Sequence, residues 1–121
     1  MPKVIHFEFV IDNPERAVNF YKTVFDWKIE KWGPQNYWLV TAGLDSEPGI
    51  NGALRLRKDA MAPVINTISV SSVDDYMKKI TQNGGKVKTA KMPIPGVGYF
   101  VYCQDTEGNI FGIMQADAQA K

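Results

Sequence analysis

Two stretches of this chain, displaced by 59 positions, each read as a strand running straight into a capped helix. At that displacement His6 falls on Ile65, Phe9 on Ile68, Ile11 on Val70, Val18 on Met77 and Tyr21 on Ile80. Few letters match, but the polarity pattern does. Internal repetition of this kind limits the topology sharply, because what the first stretch builds the second builds again.

The first stretch is Val4 to Phe25, VIHFEFVIDNPERAVNFYKTVF. Phe7, Phe9 and Ile11 alternate with His6, Glu8 and Val10, and a period of two puts each set on its own face of a strand. The apolar set is expected to pack under the helix that follows. The other face carries the only histidine of the chain and a carboxylate two residues on, about 6.6 Å further along the same face. Asn13 suits the N-cap, Pro14 the first helical position and Glu15 the positive end of the helix dipole. Ala17, Val18, Tyr21, Val24 and Phe25 recur at helical spacing and form the expected covering stripe.

Trp27, Ile29 and Lys31 predict a short strand, and Gly33-Pro34 a turn. Asn36–Ala42 and Ile50–Arg57 read as strands around a polar loop, Gly43–Gly49. Gly52 inside the latter points to a bulge or to close approach of another group. Lys58–Pro63 is the expected boundary. A second strand then carries Ile68 and Val70 on one face and Ile65, Thr67 and Ser69 on the other. Ser72 caps a second helix with Asp75 three residues on, Val73, Tyr76, Met77 and Ile80 form its stripe, and Gly84-Gly85 stops it. Lys86–Thr89 predicts a short strand, Lys91–Gly98 a loop that fits a lid or an ordinary connection, and Tyr99–Gln104 and Asn109–Gln115 a hairpin closed by Asp105–Gly108. The tail, ADAQAK, is expected to fray.

The 121 residues suit one domain made of two small modules, about 3–57 and 63–115. Hydrophobic residues make up 45%, enough for a real core. The net charge is +1 and no basic stripe occurs, which argues against nucleic acid as a partner. No apolar run has the length of a membrane span, MPKVIHFEF lacks the apolar region of a signal peptide, and one cysteine excludes an internal disulfide. A soluble cytoplasmic protein without membrane partners is expected.

Three blocks in order, IHFEFVIDNPERAVNFYKTVFDWKI, ISVSSVDDYMKKITQNGGKV and YFVYCQDTEGNIFGI, resemble the glyoxalase/bleomycin-resistance/extradiol-dioxygenase superfamily, the vicinal oxygen chelate fold. The last block is similar to the family's closing D-P-x-G-N hairpin, with Thr106 where proline is usual. In appearance the chain is similar to small proteins described as related to lactoylglutathione lyase. The resemblance implies an α+β fold in which two βαβββ modules form a curled mixed sheet around a cleft, and a homodimer. It also implies metal ligands on the first and last strands of each module. His6 matches the first position. Ile65 stands at the second-module equivalent, Gly112 at the final position, and Gly49–Leu54 contains no His, Asp or Glu. A catalytic zinc takes three protein ligands, and an iron facial triad needs two histidines and a carboxylate. No cofactor is therefore expected, and a divalent metal is disfavoured.

His6 and Glu8 are the candidate catalytic pair, the carboxylate holding the imidazole for general base work. The bland reading is a relic whose polar groups are satisfied by neighbours. Candidate contacts to a small-molecule ligand are His6, Glu8, Trp38, Thr67 and Tyr99. Trp27, Trp32 and Tyr37 are further aromatics, although at strand spacing such residues usually build core or interface. Arg55 and Arg57 suit a carboxylate or phosphate, or else a solvated strand end. Cys103, in an apolar strand, reads as a buried structural thiol. The leading expectation is a glyoxalase-fold protein that binds a small organic molecule without a metal, its reaction unassigned. The alternatives are a divergent metal-dependent lyase, isomerase or dioxygenase, and a non-catalytic assembly domain.

Overall fold

Alternation decides the first strand, as its sequence requires. In the computed structural model, which describes residues 2–58 and 62–121, β1 spans Val4–Ile11. Phe7, Phe9 and Ile11 lie on its helix-covered side. Of the expected boundary, Lys58–Pro63, residues 59–61 lie outside the described residues. The chain divides into two compact units, one of His6–Ile65 and one of the residues up to Ile5 together with Asn66–Lys121. Residues expected in the module 3–57 thus pair with the other unit: the Ser69 N–H donates to the Lys3 carbonyl at 2.9 Å.

The unit His6–Ile65 contains α1 (Pro14–Phe25), β2 (Lys28–Lys31), β3 (Tyr37–Thr41) and β4 (Gly52–Leu56). Its strand order is β2-β3-β4-β1. β4 runs parallel to β1, and β3 is antiparallel to both of its neighbours. The Asn13 side chain accepts from the Arg16 N–H, with Pro14 at the start of α1. The helix covers a core of Ile11, Ile29, Val40 and Leu54, with Phe7, Phe9, Ala17, Val18 and Tyr21 packed against it. Full burial of an aliphatic side chain such as Leu54 contributes roughly 1.5–3 kcal/mol. Gly52 marks a close approach: a Cβ there would collide with the Phe7 carbonyl and ring.

Val24 and Phe25 depart from the expected stripe, each being 55% exposed. The cause is Trp27. Asp26 adopts a left-handed φ of 60° and turns the chain back. Trp27 then stacks on Tyr21, with ring centroids 5.0 Å apart, and lies within 6.4 Å of Phe9. It takes up the space that the last helical turn would otherwise cover.

The other unit contains most of β5 (Val64–Ser69), then α2 (Val73–Gln82), β6 (Lys86–Val87), β7 (Met92–Ile94), β8 (Gly98–Gln104) and β9 (Ile110–Ala116). β5 pairs in parallel with β9, β9 with β8 and β8 with β6 antiparallel, and β7 also pairs with β8. Ser72 accepts from the Asp75 N–H, and α2, which contributes Val73 to the core, covers Val70, Val101, Cys103 and Ile113. Each sheet is mixed and carries its helix on one face, an α+β architecture. No helix among the described residues is long and apolar enough to cross a membrane.

Two expectations are corrected. The segment Lys91–Gly98 is not a loop, because Met92–Ile94 forms an antiparallel pairing with Gly98–Phe100. Nor does the tail fray. Ala120 is 5% exposed and its carbonyl accepts from the Gly96 N–H, while the Asp117 N–H donates to the Val97 carbonyl, both at 2.9 Å. Two backbone hydrogen bonds and one buried methyl hold it.

Candidate functional site

In the unit His6–Ile65 the sheet face turned away from α1 carries the polar side of β1. Strand register determines which side chains join it. Glu8 pairs with Ala53 and Val10 with Arg55, and across the next strand Ala53 pairs with Leu39 and Arg55 with Tyr37. His6, Glu8, Arg55 and Tyr37 therefore share one face.

Two contacts tie these residues together. His6 Nε2 and the Tyr37 hydroxyl are 2.8 Å apart, and the phenol donates whenever Nε2 carries no proton. Their ring planes are nearly parallel, 13° apart. Burial lowers the pKa of His6, and the nearby Glu8 charge opposes that shift without cancelling it. The imidazole is thus predominantly neutral at neutral pH, the form that accepts from a phenol and acts as a base. Glu8 is only 4% exposed. A buried carboxylate is costly unless paired, and its partner is Arg55, with Nη1 3.8 Å from Oε1. The arrangement can hold a small polar molecule, accept a proton at His6 and present a guanidinium to an anion.

Of the residues proposed from sequence, His6 and Glu8 are brought together, whereas Trp38 lies on the opposite face of the same sheet and Thr67 and Tyr99 belong to the other unit. Trp38 lies on the helix-covered side, packed against the Ile29–Val40–Leu54 core, with Lys31 Nζ 5.9 Å from its ring. Tyr99 likewise packs on the core under α2, with Lys91 Nζ 5.3 Å from its ring. Thr67, 2% exposed, lies on the uncovered face of its own sheet, in register with Gly112. Arg57 is bound to Asp12 at 2.8 Å. Burial pushes the Cys103 thiol up to about 11, so it is protonated and inert at neutral pH. Tyr37 and Arg55 were the residues sequence reasoning did not join to His6. The missing signal was the parallel register of β1 with β4.

The metal positions implied by resemblance do not fit a divalent ion. Ile65 is 2% exposed and apolar. At Gly112 a Cβ would collide with the Phe100 ring, so that position is already filled. Strand β4 offers Gly52, Ala53 and Leu54. Among the described residues no three His, Cys, Asp or Glu side chains converge. Two cavities lie away from the polar face. One of about 160 Å³ sits within the loop Ala42–Asn51, and one of about 350 Å³ opens beside Met77, Thr81 and Val87.

A family model described as "Glyoxalase/Bleomycin resistance protein/Dioxygenase superfamily" matches residues 3–113. Among solved structures, a hypothetical protein from Bacillus halodurans C-125 is similar with a TM-score of 0.68 at 13% identity, covering 99% of this chain and 98% of its own. A superfamily member from Vibrio splendidus 12B01 gives 0.67 at 14%, covering 95% and 99%. Methylmalonyl-CoA epimerase from Mycobacterium tuberculosis gives 0.65 at 10%, covering 94% and 87%. At these identities the likeness shows the fold alone. No curated protein matches the chain.

Proposed function

The chain belongs to the glyoxalase/bleomycin resistance protein/dioxygenase superfamily, and from that premise we propose that it binds a small organic molecule without a metal, on the uncovered sheet face around His6. The observation that carries this reading is the convergence of His6, Glu8, Tyr37 and Arg55 from three strands, two of them bonded at 2.8 Å. Polar groups placed in this way set the orientation of a ligand, and the fold around them supplies the rigid support. His6 holds the one side chain of the set suited to take up a proton near neutral pH. Glu8 and Arg55 balance each other and fix the electrostatics beside it.

A thermal-shift screen tests the reading. It uses divalent metals, small thiols, and a panel of metabolites and aromatic acids. The expected result is an organic compound that raises the melting temperature, an effect absent in His6→Ala. A ligand present at about 100 times its Kd stabilises by about 2.7 kcal/mol, well within detection. Stabilisation by a transition metal alone overturns the reading and returns the metal-dependent lyase, isomerase or dioxygenase alternative.

A further inference from the structure

The same face extends past the polar quartet to an exposed indole. β2 pairs with β3 through Lys31 and Trp38, and the Trp32 N–H donates to the Tyr37 carbonyl at 3.0 Å. Trp32 and Tyr37 are therefore cross-strand neighbours, and their rings meet at 6.2 Å and 64°. Tyr37 in turn stands beside Arg55 on β4. A row of Trp32, Tyr37 and Arg55 thus runs from the residue just past β2 across β3 and β4. Trp32 is 45% exposed, and the Arg55 side chain is 26% exposed.

We propose that this row recognises a flat aromatic ring bearing a carboxylate, the ring against Trp32 and Tyr37 and the acid at Arg55. The inference rests on the small-molecule reading above and names the ligand class for that site. Adjacent strands are about 4.8 Å apart, so Trp32 and Arg55 are separated by about 10 Å across the sheet. That is the reach of a one- or two-ring acid. An indole and a phenol meeting at an angle offer the faces and edges that aromatic rings prefer. A guanidinium presents a planar fork of donors that matches a carboxylate, and one arm of it, Nη1, stands 3.8 Å from Glu8 Oε1. A guanidinium carries five N–H donors, so a ligand acid can share Arg55 with the partners it already has. The Tyr37 hydroxyl, already 2.8 Å from His6, places the imidazole next to the bound molecule.

Calorimetric titration of the full chain decides the matter with three probes: 2-naphthoate, the uncharged 2-naphthamide and the non-aromatic cyclohexanecarboxylate. The expected order places 2-naphthoate about tenfold tighter than either of the others. Arg55→Gln should remove about that factor for 2-naphthoate and leave 2-naphthamide unchanged. Because that variant leaves Glu8 buried beside a neutral group and so destabilises the chain, Trp32→Leu at an exposed position provides the second arm. It should weaken 2-naphthoate about tenfold and leave cyclohexanecarboxylate unchanged. Equal affinity for the three probes, or no saturable binding of 2-naphthoate, overturns the assignment. If a neutral or aliphatic compound from the screen binds in a His6-dependent way while 2-naphthoate does not, this inference falls and the broader reading stands. If nothing binds, both fall.

Discussion

The two sheets share one register and differ in what they display on the face away from their helices. In one, Val10 pairs with Arg55 and Arg55 with Tyr37. In the other, Ser69 pairs with Met114 and Met114 with Phe100. The quartet His6, Glu8, Arg55 and Tyr37 thus has Ile65, Thr67, Met114 and Phe100 as its counterparts. A guanidinium is answered by a thioether and a phenol by a benzene ring. Ala53, beside Glu8, is answered by Gly112 beside Thr67, and the missing methyl lets the Phe100 ring lie over the strand. The same strand register therefore occurs with a largely apolar set and with a polar one. The polar set is not needed to build the sheet, which is a physical reason to look to it for function.

The comparison can be broken most strongly at Gly112. Gly112→Val drives a side chain into the Phe100 ring and towards Thr67 Oγ1, 3.1 Å from the nearest possible Cβ. An overpacked site of this kind should cost about 3 kcal/mol, read from the urea midpoint. A loss below about 1 kcal/mol would show that the apolar face is looser than its geometry. The next effect contrasts two equivalent positions. Glu8→Ala leaves Arg55 without its buried partner and should cost about 2 kcal/mol, whereas Thr67→Val should cost about 1 kcal/mol or less. Equal losses in denaturant titrations would erase the distinction between the two faces. The smallest effect is the pH response of the polar face. His6 has a lowered pKa when folded, so below its ordinary value near 6.5 the unfolded chain binds more protons. Stability should therefore fall as pH drops through that value, and level off with respect to His6 below the folded pKa. Melting curves between about pH 8 and about pH 5 should show a steeper loss for the wild type than for His6→Asn. Parallel curves would remove the burial of His6 from the account.

How much of this was legible in the sequence depended on range. Helix starts were readable because capping is local: Asn13 with Pro14, and Ser72 with Asp75, act within one turn. The face of His6 and Glu8 was readable because Phe7, Phe9 and Ile11 alternate cleanly against it. The sides on which Trp38 and Tyr99 lie were not readable, because their strands are apolar on both faces. YWLV and GYFVYC carry no period-two contrast from which to choose a side. Tyr37 and Arg55 were individually visible, but only the register of β1 with β4 unites them with His6, and no local signal encodes it. The docked tail rests on two backbone hydrogen bonds, which leave no mark in the choice of side chains. Strand β7 was hidden by Pro93 and by the glycines that follow it.

The parallel pairing of β1 with β4 also bears on the order in which the chain can close. Strands β2, β3 and β4 follow one another as an antiparallel meander, whereas β1 reaches β4 only after α1 and two intervening strands. Closing the longer loop carries the larger entropy cost and brings together residues far apart in sequence. His6 and Glu8 lie on β1, and Tyr37 and Arg55 lie on the meander. In any partly opened state in which β1 has left β4, both polar contacts are lost together while the hairpins survive. The site exists only once β1 has joined β4, so a ligand that binds there acts as a latch on that long-range closure.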